Sequence, residues 1–368
     1  MGMTPLRILL TLDAVGGVWQ YATTLARALG EQGVNCRLAG FGPPPTQAQR
    51  ETCAGIPHTE LTWTEAPLDW LVRDEAALQP VAPTLLAMAR AWQVDLLHLS
   101  LPSQAAGMPH GLPVVVTAHS CVPTWWRAMR GDALPAEWRW QQRLNRAGLA
   151  RADEVLAPSA AHAATLRAVY GVLPAVRVVH NATDCIEPHQ GEKDNMILAV
   201  GRWWDEAKNG ATLDQAAEGT AWPVVLVGPL SGPDGSVVRF GHARTTGGRP
   251  ADAVRALMAR AAIFVAPSRY EPFGLAVLEA ALHGAALVLA DIPAFRELWN
   301  GAALFVSPMD VAAWRDAFAR LVAAPALRHR LALRAHARAR HFTPQRQADS
   351  IRAAYAAAST RHADRSAA

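Results

Sequence analysis

Short runs of β-branched and leucine residues alternate along this chain with longer stretches in which alanine, leucine and arginine recur at a helical period. That alternation is the pattern of βα units laid on a parallel sheet. Strands of such a sheet are covered on both faces and read as continuous apolar runs, as Val114, Val115 and Val116 do. The pattern predicts strands over residues 7–12, 35–40, 96–99, 114–117 and 154–157, with a helix over residues 18–32 between the first two. After a polar stretch at residues 187–195 a second series begins, with strands over residues 196–200, 224–227, 263–266 and 286–289.

Two such series predict an α/β chain of two doubly wound, Rossmann-like domains, spanning residues 1–187 and 188–342, with the linker at residues 188–194. Ligands of this class bind at the carboxyl ends of the strands, so the expected active site is a central cleft that both sheets face. Thr343 followed by Pro344 reads as an N-cap and first helical position. They open a last helix over residues 344–358, and the segment 343–368 is expected to pack back on the first domain and end in a loose tail. The Ala/Arg/His-rich stretch 324–340 reads as a helix with a solvated face.

Composition narrows the class. The 368 residues, 51% hydrophobic and 18% charged, suit a soluble globular protein of two domains. The longest apolar stretch, residues 275–290, contains Glu279 and His283 and is too short to span a bilayer. Met1 runs directly into the apolar Ile8, Leu9 and Leu10, without the pattern of a signal peptide. A cytoplasmic location is the expectation. Cys36, Cys53, Cys121 and Cys185 have no paired spacing and read as reduced thiols, neither a zinc site nor a disulfide framework. The net charge of +4 is compatible with polyanionic ligands but selects none of them.

The most informative segment follows the predicted strand 263–266: Glu271, Pro272, Phe273, Gly274, Leu275 and, on the ensuing helix, Glu279. A strand, a Pro/Gly turn and an apolar helix put the N–H groups of Phe273, Gly274 and Leu275 at a helix N-terminus, a seat for phosphate. Gly274 lets a phosphate approach the backbone. Glu279 lies about a turn and a half along the helix, within reach of a ribose whose diphosphate sits at the N-terminus. A second segment, Gly201 to Gly210, carries Arg202, Lys208 and Asn209 after the strand 196–200. A planar guanidinium and a compact ammonium can together neutralise a diphosphate without a metal ion.

These two segments resemble the signatures of the family 4 retaining glycosyltransferases of the GT-B fold: Glu-x7-Glu in an E-P-F-G-L context, and G-R-x4-K-N, to which Arg202, Lys208 and Asn209 correspond here with five residues between Arg202 and Lys208. The resemblance implies that Glu271 contacts the donor sugar, Glu279 binds ribose hydroxyls, and Arg202 with Lys208 binds the diphosphate. Gly16 and Gly17, in a turn opening the first helix, are similar to the family's Gly-Gly segment beside the diphosphate and sugar. His119, at the end of strand 114–117, matches the family's His near the transferred sugar, with Ser120 where an acidic or amide residue is common. Residues 178–184 resemble the family's P-N-G-V-D segment, with Asn181 and Asp184 kept and Ala182 in place of Gly.

The implied activity is metal-independent transfer of a hexosyl group, with retention, from a nucleoside diphosphate sugar to a hydroxyl acceptor: a glycan, a lipid-linked sugar or a small molecule. No cofactor and no resident metal are expected. The 1–187 domain is implied to be the acceptor side and the 188–342 domain the nucleotide-sugar side. An aromatic and basic cluster spans Trp125, Trp126, Arg127, Arg130, Trp138, Arg139, Trp140, Arg143 and Arg146. It suits peripheral contact with the inner membrane face, an acceptor wall, or a helical hairpin packing its tryptophans inward. Nucleic-acid binding is not expected, since no binding module is recognisable. Two rival classes are a sugar-nucleotide epimerase of similar fold and a non-catalytic sugar-nucleotide-binding protein.

Overall fold

A computed structural model describes residues 5–184 and 191–367. They fall into two compact units, residues 1–183 with 344–368, and residues 184–343. The expected boundary at 187/188, the first part of the expected linker, and Cys185 lie outside the described residues. Cys36, Cys53 and Cys121 are free and buried.

The first unit is built from β1 (Arg7–Asp13), α1 (Gly17–Glu31), β2 (Asn35–Phe41), α2 (Gln47–Ala54), β3 (Thr59–Trp63), α3 (Val81–Trp92), β4 (Leu96–Leu99), β5 (Val114–Thr117), α4 (Val122–Arg130), α5 (Arg139–Arg151), β6 (Glu154–Ala157), α6 (Ala160–Tyr170) and β7 (Val176–Val178). The sheet is parallel, in the order β3-β2-β1-β4-β5-β6-β7. Strand order therefore reverses between β1 and β4, the point at which a doubly wound sheet opens a crevice for ligands. β4, β5 and β6 are buried at every position, and their sequences are accordingly mostly apolar. His98 in β4, Thr117 in β5 and Glu154 in β6 are the buried polar exceptions, and each has a partner.

The second unit comprises β8 (Asp194–Val200), α7 (Gly210–Ala217), β9 (Val224–Val227), β10 (Arg244–Thr245), α8 (Ala251–Arg260), β11 (Ala261–Ala266), α9 (Leu275–Leu282), β12 (Ala286–Ala290), α10 (Pro293–Trp299), β13 (Ala303–Val306), α11 (Val311–Ala323) and α12 (Pro325–Ala339). Its parallel sheet runs β10-β9-β8-β11-β12-β13, with the reversal between β8 and β11. Trp299, Trp314, Phe295 and Phe318 are among the fully buried side chains that fill the space under its helices.

The chain then returns to the first unit as α13 (Pro344–Ala367). Ile351, Ala354, Tyr355 and Ala358 join Ile8, Leu10 and Val115 in one core cluster. In place of the loose tail expected after residue 358, the helix runs on to Ala367. Arg361 and Arg365, one turn apart, bond the buried carboxylates of Glu154 and Asp153, giving the last turns an electrostatic anchor. Among the described residues, no helix is long and apolar enough to cross a membrane.

Candidate active site

In the second unit, the segments that carry the two motifs follow β8 and β11, the strands that flank the reversal of strand order. The turn after β8 is shaped by a close approach: Gly228, at φ 133°, lies so near that an added Cβ would stand 1.9 Å from the carbonyl oxygen of Gly201. The turn continues through Asp205, whose carboxylate accepts from the Ala207 N–H at 3.0 Å, and ends at Asn209, left-handed at φ 56°. Asn209 is fixed by donating to the carbonyls of Pro267 (3.0 Å) and Pro308 (2.7 Å) and accepting from Thr212 (2.8 Å). The N–H of Arg269 donates to the carbonyl of Ala207 at 2.9 Å, so the β8 and β11 loops are joined through the backbone.

That joining brings predicted residues together. The Lys208 ammonium pairs with the Glu271 carboxylate, both side chains about four fifths buried. Gly274 caps α9 in the left-handed region at φ 93°, and an added Cβ there would meet the Phe295 ring at 2.9 Å and the Glu271 side chain at 3.4 Å. No side chain caps the helix, leaving main-chain donors of its first turn beside Glu271. Phe273 contributes a core side chain, edge-on to Phe342 at 5.5 Å. Arg202 lies on the same loop as Lys208, its guanidinium 3.3 Å from Asp205 and 5.2 Å from the Trp204 ring centroid. Glu279 is half-buried on α9, beyond the first turn.

In the first unit Gly16 is the N-cap of α1 and Gly17 its first residue, again without a side-chain cap. Gly16 is extended, at φ −157°, so the left-handed freedom of glycine is not what this turn uses. His119 follows β5, half-buried, with its Nε2 shielded from solvent and without a hydrogen-bond partner among the described residues. Its ring meets Tyr21 of α1 edge-on at 4.2 Å. Burial, with His98 and His162 nearby, lowers its pKa to about 3, so the imidazole is neutral near pH 7.

Beneath it lies a polar network that sequence reasoning missed. Tyr21, His98, Thr117 and Tyr355 are all buried. His98 bonds Tyr355 through Nδ1 and Thr117 through Nε2, both at 2.7 Å, and Tyr21 reaches Thr117 at 3.2 Å. One signal was available, a histidine inside the four-residue apolar strand β4.

The Trp/Arg cluster separates by burial. Trp140 is buried, Trp125, Trp126 and Trp138 are half-buried, and Arg127, Arg130, Arg139, Arg143 and Arg146 are exposed. Arg130 covers Trp125 and Trp126 at 5.2 and 5.6 Å, and Trp126 donates to Asp132 at 2.9 Å. Trp140 packs inward, and the arginines, with the half-buried tryptophans beneath Arg130, form a basic outer face.

The sequence matches the family model for Glycosyltransferase Family 4 over residues 15–186 and that for Glycosyl transferases group 1 over residues 194–324. It is 30% identical over 393 aligned positions to the D-inositol 3-phosphate glycosyltransferase of Actinosynnema mirum, covering 92% of each chain. Among solved structures it is similar to sucrose-phosphate synthase from Thermosynechococcus elongatus, with a TM-score of 0.77, 20% identity, and 95% and 98% of the two chains covered. It is also similar to Anabaena HepE in complex with UDP and glucose, with a TM-score of 0.75, 15% identity, and 96% and 100% covered. These likenesses show a two-domain α/β fold of GT-B type. The family matches, with the motifs around Arg202 and Glu271, identify the chain as a member of the family 4 glycosyltransferases.

Proposed function

We propose that this glycosyltransferase takes a hexosyl group from a nucleoside diphosphate sugar and delivers it to a hydroxyl acceptor with retention, without a metal ion. The observation that carries the reading is the Lys208–Glu271 pair beside the uncapped start of α9. It sets a cation for the diphosphate against a carboxylate for the sugar, at the reversal point of the second unit's sheet. That the similar Anabaena structure holds UDP and glucose supports the same assignment.

Breaking the anomeric bond puts negative charge on the departing diphosphate and oxocarbenium character on the sugar. Fixed positive groups stabilise the first: Lys208, Arg202 and the main-chain donors at residues 273–275. The acceptor oxygen bonds to the anomeric carbon as the bond to the diphosphate breaks, the electron pair leaving with the diphosphate. The acceptor proton goes to a diphosphate oxygen. Glu271 positions the sugar, Glu279 holds the ribose, and the neutral His119 offers a hydrogen bond to the transferred sugar. Gly16 and Gly17 are assigned to the same donor through the motif resemblance. Peripheral contact with anionic lipid through the exposed arginines of α4 and α5 is part of this reading and is measured by co-sedimentation with phosphatidylglycerol vesicles.

A thermal-shift screen against UDP, GDP and ADP sugars, followed by product analysis with the best donor by NMR of the anomeric proton, tests the function. Stabilisation by one donor class and an unchanged anomeric configuration in the product are expected, with activity retained in EDTA. An inverted product, or activity lost on chelation and restored by a divalent ion, would refute retention or metal independence respectively.

A further inference from the structure

The first unit contains a cavity of about 180 Å3 that the motifs do not touch. It exceeds the roughly 150 Å3 space that admits a benzene ring in an engineered protein core, so it has room for one six-membered ring. Its polar wall is built, not incidental. Asp69 is 2% exposed, its carboxylate accepting from Ser103 and Asn145 and its carbonyl from Gln141 at 2.8 Å. Gln104, 4% exposed, accepts from Thr11 at 2.7 Å through Oε1, while its amide NH2 has no partner among the described residues. Both residues line the cavity with Ser103 and Glu75, and Leu78 and Ala82 supply apolar wall.

The cavity adjoins the candidate site of its own unit. Gln104 belongs to the turn after β4 and bonds β1, and these two strands flank the reversal point of the sheet. The Asp69 carboxylate is near enough to Cys121, two residues beyond His119, to contribute to raising its thiol pKa.

The polar groups on the wall define the ligand class. A carboxylate acceptor, an amide donor and a hydroxyl in one small space match hydroxyl groups, each of which both donates and accepts. Among the described residues, no Lys, Arg or His lines the cavity. The nearby cation Arg143 is exposed and already paired with Glu75. A phosphate placed there would face Asp69 and Glu75 with no free cation in the wall.

We propose that this cavity binds an uncharged ring polyol, a sugar or cyclitol without phosphate, as the acceptor of the transfer reaction. The acceptor role rests on the function proposed above, whereas polyol binding does not.

Saturation-transfer NMR on the full chain tests it, with glucose and myo-inositol against glucose 6-phosphate and inositol 3-phosphate as probes. Transfer to the uncharged polyols is expected, with at least tenfold weaker binding of the phosphorylated ones. Ala82→Trp and Leu78→Trp fill the cavity from two sides. Whichever of them melts as the wild type does is expected to lose polyol binding while keeping its thermal shift with UDP. Gln104→Glu keeps an acceptor for Thr11 but removes the amide donor, and is expected to weaken polyol binding about tenfold. Equal or tighter binding of the phosphorylated probes overturns the proposal, as does polyol binding that survives in a folded cavity-filling variant. Polyol binding without any nucleotide-sugar response or transfer would sink the proposed reaction and leave the cavity assignment standing.

Discussion

Lys208 and Glu271, 63 positions apart, form an ion pair whose side chains are 19% and 18% exposed, closing the β8 loop onto the β11 loop. The proposed function gives one to the diphosphate and the other to the sugar, and the fold makes each the other's partner. Removing one member leaves a largely buried charge without compensation, so the single variants carry a structural penalty as well as a chemical one. Lys208→Ala and Arg202→Ala are each expected to lower kcat/KM by at least ~100-fold, the effect of losing one preorganised donor. Adding Glu271→Gln to Lys208→Ala should cost much less than the product of the single effects, because the pair acts as a unit. Steady-state kinetics and melting temperatures of the set separate the two contributions. Near-wild-type rates in both Lys208→Ala and Arg202→Ala would remove the diphosphate assignment.

Gly228→Ala should disable the same loop without touching a charged group. The added Cβ would stand 1.9 Å from the Gly201 carbonyl, at a residue held at φ 133°, so the turn has to move. A cost of about 1–3 kcal/mol is expected for forcing such a conformation. The measurable signature is a lower Tm together with a weakened thermal shift on nucleotide addition. Gly219→Ala, also at positive φ but with nothing within 4 Å of the added Cβ, is the control: it should lower Tm and leave the nucleotide response intact.

Tyr355→Phe tests how the last helix is held. The phenol meets Nδ1 of His98 at 2.7 Å across 257 positions of sequence, with both residues buried. Deleting the hydroxyl leaves a buried ring nitrogen unpaired, worth roughly 1–3 kcal/mol. Tyr355→Ala also removes an aromatic side chain from the core that contains Ile8 and Leu10, adding a cavity cost and totalling about 3–5 kcal/mol. Urea denaturation of the two variants reads the difference. Equal losses would mean that the hydroxyl carries the whole contribution of Tyr355.

The strands that hydrophobic patterning found and those it missed divide by place in the sheet. β1, β2, β4, β5, β6, β8, β9, β11 and β12 were legible, and each has a neighbour on both sides. β3, β7, β10 and β13 were not, and these are the outermost strands of the two sheets. β3 alternates half-buried and exposed positions, and β10 is two exposed residues. An edge strand is less covered, so its residues are not constrained to the apolar run that announces an interior one. The site divides similarly. Arg202, Lys208, Glu271 and Gly274 sit in short contiguous motifs whose spacing carries the chemistry. Asp69, Gln104, His98 and Tyr355 act with partners that only the tertiary fold supplies, so no local window shows them.

Stability should fall as pH drops from 6.5 to 5, and the cause is the buried imidazoles. Burial lowers the pKa of His98 to about 3 and that of His162 to about 4, and His119 is lowered to about 3. In the unfolded chain each titrates near 6.5. Above that value the imidazoles are neutral in both states and their contribution is fully present. Below it the unfolded chain takes up protons that the folded chain refuses, and stability is lost progressively until the folded values are reached. The limiting slope is about 1.4 kcal/mol per pH unit for each such histidine. Asp69, whose pKa burial raises, works the other way, because the folded chain protonates it at higher pH than the unfolded chain does. Its single offset opposes three histidines, so the decline is shallower but keeps its sign. Urea denaturation at pH 7.5, 6.5, 5.75 and 5 should therefore show a small loss between the first two and a steeper decline across the rest. His98→Gln should make that decline shallower by one histidine, whatever it does to stability at pH 7.5. A flat profile in the wild type would mean that these rings protonate in the folded state.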